Sequence, residues 1–402
     1  MSDILIYPSK LKGEITPPPS KSITHRAIIC AAISEGDCLI NNISMSNDIE
    51  ATICGMKAMG SRCEFVENKL FVTKCVRNEE AYINCKESGS TMRFLIPIAA
   101  ALGITAHFSG EGRLPERSII EYEDLMTSKG INVNSNNGFL PLHISGKMSG
   151  GKFEIRGDVS SQFVSGLLLA APKIGGIIDI ILTTELQSAP YVDITIDVMN
   201  KFGVQVKKIK NGYRINANSK YYNSDYTIES DYSQGAFWLT ANALGSNINV
   251  IGLKKNSIQG DKEILNIISK LKNEDEVIIN ASNIPDLIPI VSILAGLRRG
   301  RTIITNAERL KLKESDRLYS TSLMLNTLGA DYKVTEDGFI INGVSEYQGG
   351  VINSYNDHRI AMSAAIASTR CRQPLKITGY ECVNKSYPNF FDEFERLGGR
   401  VK

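Results

Sequence analysis

The sequence predicts an α/β fold made of six repeats of about 65–70 residues each. The first observation behind this prediction is a recurring segment of apolar helix residues, a glycine and an alternating strand. The segment occurs at 59–63, 129–133, 202–206, 328–332 and, in shortened form, 397–401. Gly203 and Gly329 are nearly two periods apart, so we expect a degenerate copy between them, and the stretch from Ile264 to Ile279 fits it.

The second observation is a hairpin signal that follows four of these segments. Asparagine or aspartate, mostly before glycine, interrupts two alternating strands, which is a strong signal for a β-hairpin. The predicted turns contain Asn68, Asn137-Gly138, Asn211-Gly212 and Asp337-Gly338. We therefore expect these copies to close with two antiparallel strands.

The third observation is an apolar helix rich in small residues in each copy. A helix that is apolar on nearly all faces is buried in protein. Polar groups introduce these helices at Lys21-Ser22, Ser88-Gly89-Ser90-Thr91, Ser160-Ser161-Gln162, Asp231-Tyr232-Ser233-Gln234, Asn283-Ile284-Pro285-Asp286 and Asn356-Asp357-His358-Arg359. A second, amphipathic helix is expected in each copy, and its leading loop is again polar or charged. Such residues are often only helix caps.

The repeats divide into three and three, since 402 residues are too many for one ordinary core. The polar and aromatic segment 221–226 breaks the pattern, and Pro17-Pro18-Pro19 is a second crossing point. We predict one domain of residues 1–18 plus 227–402 and another of residues 19–226. The strand Ile4–Pro8 then belongs with the C-terminal half. Two connections between halves suggest a cleft that closes on a ligand, where we expect the active site.

Composition limits the classes of partner. The net charge of +2 argues against a general nucleic-acid or membrane surface but allows a basic pocket. Eight scattered cysteines without a Cys-x-x-Cys pair favour reduced thiols in the cytoplasm. The four histidines are not closely spaced, which argues against a histidine metal site. We expect a monomer that acts on small molecules, with no cofactor.

The stretch from Pro17 to Arg26 has the composition of an anion site. Its prolines fix an extended approach, and Ser20 or Ser22 offers an N-cap to the helix that follows. Lys21 and Arg26 then lie near free backbone N–H groups and the positive end of the helix dipole. An ordinary capped helix with its basic residues in solvent is the alternative.

Other cations lead later segments of the chain. The candidate cations are Lys21, Arg26, Arg117, Lys313, Arg317, Arg359 and Lys385. If their side chains converge on one site, its ligand is very acidic. Asp286 and Glu314 lie among them in sequence, and a carboxylate surrounded by cations stays ionised and ready to accept a proton. A lysine among cations is biased toward its neutral form. Neither a P-loop nor a convincing dinucleotide fingerprint is present. The pattern predicts acid–base chemistry on anionic substrates.

Six motifs in this order resemble the enolpyruvyl transferase family over nearly the whole chain. They are Pro-Ser-Lys21-Ser22-x-x-x-Arg26, Ser88-Gly89-Ser90-Thr91-Met92-Arg93, Gly112-x-x-x-Pro115-Glu116-Arg117, Ser160-Ser161-Gln162, Lys313-Glu314-Ser315-Asp316-Arg317 and Asp357-His358-Arg359. The resemblance implies two similar domains, each of three βαβαββ-type units with buried parallel helices, in an inside-out barrel. It also implies transfer of the enolpyruvyl group of phosphoenolpyruvate to the 5-hydroxyl of shikimate-3-phosphate, through a tetrahedral intermediate, in aromatic amino acid biosynthesis.

The resemblance also implies roles for individual residues. Those expected to bind shikimate-3-phosphate are Lys21, Ser22, Arg26, Ser160, Ser161, Gln162, Ser188, Tyr191, Asp286, Arg309 and Lys313. Those expected to bind phosphoenolpyruvate are Lys21, Gly89, Arg117, Gln162, Arg317, Arg359 and Lys385. Asp286 is the expected base for the 5-hydroxyl proton, with Glu314 and Lys21 handling the other proton transfers. His358 is expected beside the site rather than as the main base.

The sequence departs from the family pattern in places. Lys86 and Glu87 stand before Ser88 where many members have asparagine and alanine, Arg309 stands where asparagine is common, and Phe94 where proline is frequent. Gly89 leaves room for the inhibitor glyphosate, which favours sensitivity.

Two other functions remain as alternatives. One is the activity of a sister enzyme that transfers enolpyruvyl to UDP-N-acetylglucosamine. The absence of a reactive cysteine from the loop 110–115 argues against this activity. The other is a non-catalytic anion-binding protein, which the joint presence of Lys21, Asp286 and Glu314 disfavours.

Overall fold

The computed structural model describes residues 2–402, which divide into two compact units. The N-terminal unit is Pro19–Glu229, and the C-terminal unit combines the residues up to Pro18 with Ser230–Lys402. The sequence placed the second boundary between residues 226 and 227, and the division of the structure falls between Glu229 and Ser230. Each unit has its own hydrophobic core.

The chain starts in the C-terminal unit with β1 (Asp3–Tyr7) and β2 (Lys12–Ile15). The N-terminal unit follows as α1 (Lys21–Ala32), β3 (Cys38–Asn41), α2 (Asn47–Ala58), β4 (Cys63–Val66), β5 (Lys69–Val72), β6 (Glu80–Asn84), α3 (Gly89–Leu102), β7 (Thr105–Ser109), α4 (Ile120–Thr127), β8 (Asn132–Ser135), β9 (Leu142–Ser145), β10 (Gly151–Ile155), α5 (Ser161–Ile174), β11 (Ile178–Leu182), α6 (Ala189–Lys201), β12 (Val206–Ile209), β13 (Gly212–Ile215) and β14 (Tyr226–Thr227).

The rest of the C-terminal unit follows, again as a series of helices and strands. Its elements are α7 (Tyr232–Ala243), β15 (Asn247–Val250), α8 (Ile264–Asn273), β16 (Glu276–Asn280), α9 (Ile288–Ala295), β17 (Arg301–Thr305), α10 (Arg317–Thr327), β18 (Asp331–Val334), β19 (Phe339–Asn342), β20 (Gly350–Asn353), α11 (His358–Ala367), β21 (Leu375–Thr378), α12 (Phe390–Arg396) and β22 (Arg400–Val401). Short 3₁₀ segments lie at Leu114–Glu116, Gly260–Glu263, Glu308–Leu312, Ser368–Arg370 and Tyr380–Lys385.

Three of the sheets have the same strand order. They are β6-β7-β9-β8, β10-β11-β13-β12 and β16-β17-β19-β18. In each sheet the first two strands are parallel and the other neighbours are antiparallel. The four predicted hairpins are confirmed, as β4–β5, β8–β9, β12–β13 and β18–β19. The repeated α/β architecture expected from the sequence is therefore present.

The remaining sheets are β14-β3-β5-β4, β20-β21-β1-β22 and β15-β2. Strand β2 precedes α1 in the chain but runs parallel to β15 in the C-terminal unit. Strand β14 precedes α7 but runs parallel to β3 in the N-terminal unit. Each unit therefore completes one sheet with the strand that leads into the other unit's first helix. Strand β1 pairs with β21 and β22.

The fourth repeat is shorter than the sequence suggested. The stretch 264–279 forms α8 and most of β16. Strand β16 pairs in parallel with β17 and so begins the fifth repeat, instead of closing the fourth. Within residues 2–402 the fourth repeat has no closing hairpin, and this is why its sheet contains only β15 and β2.

All six predicted helix openings lie at the start of a buried helix: α1, α3, α5, α7, α9 and α11. Ser20 is the N-cap residue of α1. The side chains of Ser88, Ser160 and Asp357 accept hydrogen bonds from backbone N–H groups two or three residues further on, as N-caps do. The bodies of these helices consist mainly of small and apolar residues and are buried, while the polar groups lie at their N-terminal ends.

The glycines that end the repeated segments serve one structural purpose. Each has a positive φ angle, from 70° to 115°, which glycine adopts without strain and which lets the chain leave a helix for a strand; they are Gly60, Gly130, Gly203, Gly329 and Gly398.

None of the helices between residues 2 and 402 combines the length and the apolar character that a membrane crossing needs. Among the same residues no cysteine takes part in a disulfide.

Candidate active site

Arg26 lies buried in the N-terminal unit and connects two of its helices. Its Nη1 donates to the carbonyl oxygen of Ser22 at 2.6 Å, and its Nη2 donates to that of Tyr191 at 3.0 Å. Its Nε donates to Oγ1 of Thr195 at 2.6 Å. Burial lowers the pKa of Arg26 to about 9, so the side chain is still protonated at neutral pH. The structure thus brings together three predicted site residues: Ser22, Arg26 and Tyr191.

Lys21 is the first residue of α1 and forms an ion pair with Asp48. The distance from Nζ of Lys21 to Oδ2 of Asp48 is 2.6 Å, and both side chains are mostly buried. Asp48 lies in the first turn of α2. The sequence did not identify Asp48, because an acidic residue in a first turn is the ordinary complement to the helix dipole. The pair holds the ammonium group at the opening of α1.

Gln162 lies in a polar network between α3 and α5. Nη1 of Arg93 donates to Oε1 of Gln162 at 2.8 Å, and Nε2 of Gln162 donates to Oγ of Ser90 at 2.9 Å. The Arg93 guanidinium also lies 4.8 Å from the ring centroid of Phe163. These contacts fix which way the Gln162 amide points. Arg93 belongs to a motif singled out above but received no role there.

The remaining shikimate-side candidates of the N-terminal unit are three serines at helix openings. Ser160 is the N-cap of α5, and its Oγ accepts from the backbone N–H of Gln162 at 3.3 Å. Ser161 is the first residue of that helix. Ser188 is the N-cap of α6 and has a φ angle of 56°, in the left-handed region that a non-glycine residue seldom adopts. A non-glycine residue in that region is often found at a functional site.

Gly89 begins α3 and lies against the guanidinium group of Arg117. A Cβ atom added at Gly89 would lie 2.7 Å from Nη1 of Arg117 and 2.9 Å from its Cζ. Only glycine allows this approach, so Gly89 and Arg117, two of the four residues of this unit predicted to bind phosphoenolpyruvate, are in contact.

Gly89→Ala is expected to displace the Arg117 side chain, since two non-bonded atoms do not pack at that separation. If Arg117 binds phosphoenolpyruvate, the KM for phosphoenolpyruvate rises about tenfold or more, which is about 1.4 kcal/mol of lost binding. Steady-state kinetics with each substrate varied in turn measures this. The KM for shikimate-3-phosphate is the internal control, and an equal rise in both KM values would contradict the assignment.

Arg317 is the centre of an ionic cluster in the C-terminal unit, with its side chain only 1% exposed. Its Nε donates to Oδ2 of Asp357 at 2.8 Å, its Nη1 to Oδ1 of Asp286 at 2.8 Å and its Nη2 to Oε2 of Glu314 at 2.7 Å. Burial alone would lower the pKa of Arg317, but these three carboxylates outweigh it and raise the pKa well above its ordinary value. Arg317 therefore holds both predicted proton-transfer carboxylates, and Asp357 anchors it from the start of α11.

Asp286 lies among three cations. Nη2 of Arg359 is 3.0 Å from its Oδ2, and Nζ of Lys313 is 3.5 Å from its Oδ1, in addition to the bond from Arg317. Burial raises the pKa of Asp286, but the charges of Arg359, Lys313 and Arg317 more than offset it and hold the pKa well below the ordinary range. Asp286 is thus ionised at neutral pH.

Lys313, Lys385 and Arg309 complete the predicted cations of this unit. Burial lowers the pKa of Lys313, and the charges of Asp286 and Glu314 offset this only in part. Nζ of Lys385 donates to the carbonyl oxygen of Asn356 at 2.6 Å, just before α11. Arg309 is half-buried in a 3₁₀ segment. Most of the predicted residues of this unit therefore lie at one cluster around Asp286.

This combination of buried cations with ionised carboxylates is typical of an enzyme that acts on acidic small molecules. Among residues 2–402 no group of three or more His, Cys, Asp or Glu side chains is arranged to hold a metal ion.

Comparison with known proteins gives the class of enzyme. The family model of EPSP synthase (3-phosphoshikimate 1-carboxyvinyltransferase) matches residues 6–394. A 3-phosphoshikimate 1-carboxyvinyltransferase from Clostridium perfringens is 44% identical over 424 residues, covering 100% of both chains. One from Clostridioides difficile is 42% identical, covering 100% of this chain and 98% of the relative. The chain belongs to the EPSP synthase family.

Solved structures agree with this assignment. An EPSP synthase from Acinetobacter baumannii superimposes with a TM-score of 0.83 at 25% identity, and the match covers 100% of both chains. The predicted enolpyruvyl transferase resemblance and fold class are thereby confirmed.

Proposed function

We propose that the chain transfers the carboxyvinyl group of phosphoenolpyruvate to the 5-hydroxyl of shikimate-3-phosphate and releases phosphate. The observation that carries this proposal is the match to enzymes of that name over the whole chain at 44% identity. It confirms the predicted activity and does not favour UDP-N-acetylglucosamine as the acceptor. The ionised Asp286 and the cations around it are the chemical groups that such a reaction needs.

The reaction has two stages. The 5-hydroxyl oxygen adds to C2 of phosphoenolpyruvate while a proton adds to C3, which gives a tetrahedral intermediate. That intermediate loses phosphate from C2 and a proton from C3, which restores the double bond. Each stage thus needs one group that gives a proton and one that takes a proton, so two carboxylates and a lysine suffice without any change of oxidation state.

Asp286 is the proposed base for the 5-hydroxyl. Its low pKa keeps it ionised, but a carboxylate with a low pKa is also a weak base. Substrate anions change this balance, because a phosphate or carboxylate group competes with Asp286 for Arg359 and Lys313. When those cations turn to the substrate, the charge that depresses the pKa of Asp286 decreases and its basicity rises. Binding therefore activates the base.

Glu314 and Lys21 are the proposed groups for the remaining proton transfers. Glu314 accepts a hydrogen bond from Arg317, which keeps its carboxylate beside Asp286. The ion pair with Asp48 restricts the position of the Lys21 ammonium group, so we propose that it donates its proton from a fixed place. The two clusters, one in each unit, are proposed to serve the same pair of substrates.

The binding roles follow the same division. We propose that the carboxylate and phosphate of phosphoenolpyruvate are bound by Arg117, Arg359, Lys385 and Arg317, the last as part of its ionic cluster. Lys21, Gln162 and Gly89 are proposed to line the same part of the site. For shikimate-3-phosphate we propose Ser22, Arg26, Ser160, Ser161, Ser188, Tyr191, Arg309 and Lys313, with Lys21, Gln162 and Asp286 at its reacting side. Guanidinium groups suit this task because they bind carboxylate and phosphate in bidentate fashion.

Release of inorganic phosphate from phosphoenolpyruvate tests the proposed function. The assay is run in parallel with shikimate-3-phosphate and with UDP-N-acetylglucosamine as acceptor. We expect release with shikimate-3-phosphate only. Release with the sugar nucleotide alone would reverse the acceptor, and release with neither would mean that the chain is an anion-binding protein. The monomeric state and the cytoplasmic location remain proposals from the sequence.

A further inference from the structure

Two histidines that are distant in sequence meet on one sheet of the N-terminal unit. His107 in β7 and His143 in β9 are directly opposite each other in the antiparallel pair. Their Nδ1 atoms are 3.3 Å apart, and their ring centroids are 4.5 Å apart. Neither histidine belongs to the candidate active site. We propose that the pair binds a divalent transition-metal ion, with Zn²⁺ as the best fit, between the two Nδ1 atoms.

The distance between the two nitrogens suits such an ion. Zinc binds imidazole nitrogen at about 2.0–2.1 Å, so two nitrogens 3.3 Å apart subtend an angle of about 104° to 111° at the metal. That range contains the angle of a tetrahedral site, which zinc adopts in proteins. The distance between the two Nδ1 atoms therefore suits zinc coordination without any rearrangement of the side chains.

The ring of His107 is oriented for this role by its neighbours. Its Nε2 lies 2.9 Å from Oε1 of Glu80, and the hydroxyl of Tyr82 donates to the same oxygen at 3.2 Å. A carboxylate that accepts the Nε2 proton leaves the Nδ1 lone pair directed at the partner histidine, as in carboxylate–histidine–zinc sites. The Tyr82 ring also stacks on His107, with 4.5 Å between centroids and 4° between planes.

In the absence of metal the two Nδ1 atoms share one proton in a hydrogen bond. Because Glu80 takes the proton on Nε2, a neutral His107 offers only a lone pair at Nδ1. His143 must then place its own proton between the two nitrogens. A metal ion replaces that proton and uses both lone pairs, with the displaced proton moving to solvent or to Nε2 of His143.

There is space for the rest of the coordination shell. The pair lines a surface concavity of about 660 Å³ that also contains Asn84, Ser109 and Asn134. Asn134 in β8 is opposite His143, as Tyr82 in β6 is opposite His107, so the four side chains form a row across one face of the sheet. With two protein nitrogens, water molecules complete the shell, and the bound metal exchanges with solution.

Zinc titration of the full-length protein, freed of metal with a chelator, tests the proposal. Competition with a chromophoric chelator at pH 7.5 measures the affinity and the stoichiometry. We expect one Zn²⁺ per chain with a Kd in the micromolar range, and an affinity at least tenfold weaker in His107→Ala and in His143→Ala. Glu80→Gln is expected to weaken binding about 10- to 100-fold, as the loss of an outer-shell partner does.

Thr105→Ala is the matched control, since Thr105 lies on the same strand and face, two residues before His107. It is expected to bind zinc like the wild type. Co²⁺ provides the second readout, because its visible absorption reports tetrahedral coordination. We expect those bands in the wild type and not in the histidine variants. A wild type that binds no zinc below 100 μM, or histidine variants that bind as it does, would overturn the proposal.

Both readouts are independent of carboxyvinyl transfer. A circular dichroism melt of each variant shows whether it is folded, and we expect no change in the metal-free protein because both rings are partly solvent-exposed. The catalytic rate of His143→Ala without metal is expected to equal that of the wild type.

Discussion

Asp286→Asn is expected to lower kcat by about 10²- to 10⁴-fold, the usual contribution of a general base. The amide has nearly the same shape as the carboxylate but cannot take the proton of the 5-hydroxyl. It also removes a negative charge from beside Arg359, Lys313 and Arg317. Steady-state phosphate release gives the rate, and a thermal melt gives the stability. Because breaking a buried ion pair typically costs about 3–5 kcal/mol, a lower melting temperature is expected as well.

Asp3→Asn is the matched control for this experiment. Asp3 lies in the same unit and pairs with Lys376 at 2.7 Å, but this pair is at the surface, with the two side chains 40% and 43% exposed. Exposed pairs contribute little, so turnover and melting are expected to stay unchanged. If Asp286→Asn raises only the KM values and leaves kcat as it was, Asp286 is a binding group and its assignment as base is wrong.

Lys21→Met is expected to lower kcat/KM by about 10³-fold, since it removes both a positive charge and a proton donor. Methionine keeps much of the side-chain volume, so the start of α1 is expected to stay folded. The variant also leaves the Asp48 carboxylate, mostly buried, without the Lys21 ammonium. Rapid-quench measurement of the first turnover separates loss of chemistry from loss of binding.

Lys74→Met is the comparison for Lys21. Lys74 pairs with Glu35 at 2.9 Å on the surface of the same unit, so its loss is expected to leave the rate unchanged. Lys21→Arg adds a finer test, because arginine keeps the charge but does not release its proton at neutral pH. Full activity in Lys21→Arg would assign Lys21 to binding rather than to proton transfer.

Local signals explain why much of the fold was predictable. A turn such as Asn211-Gly212 requires only a few adjacent residues to form, and the hairpin that it predicts is present as β12–β13. The helix openings were found for the same reason, since a cap such as Asp357 binds N–H groups within one turn. The regular spacing of the glycines then showed that these local elements recur, which predicted the six repeats.

Pairing between distant strands is what the sequence did not reveal. Strand β14 has two residues, and nothing in them indicates that they pair with β3, nearly 190 residues earlier. The glycine period predicted that a fourth repeat exists, but not that it lacks a closing hairpin, because the pairing of β16 with β17 depends on tertiary packing.

The candidate site shows the same limit. Sequence reasoning identified Asp286, Glu314 and Arg317 as separate candidates, and the structure adds that Arg317 bonds both carboxylates. Asp48 was missed, because its partner Lys21 is 27 residues away in sequence. Outside the candidate site, the contact between His107 and His143 was missed for the same reason, since the two are 36 residues apart.

We propose that Lys21 and Asp286 act on the same reaction, although they belong to different units. The double variant Lys21→Met with Asp286→Asn, measured beside both single variants, tests it by a double-mutant cycle in kcat/KM. Groups that act together in one transition state are strongly non-additive. We therefore predict that the double variant is at most about tenfold slower than the more damaged single variant. A loss equal to the product of the two single losses would contradict the claim.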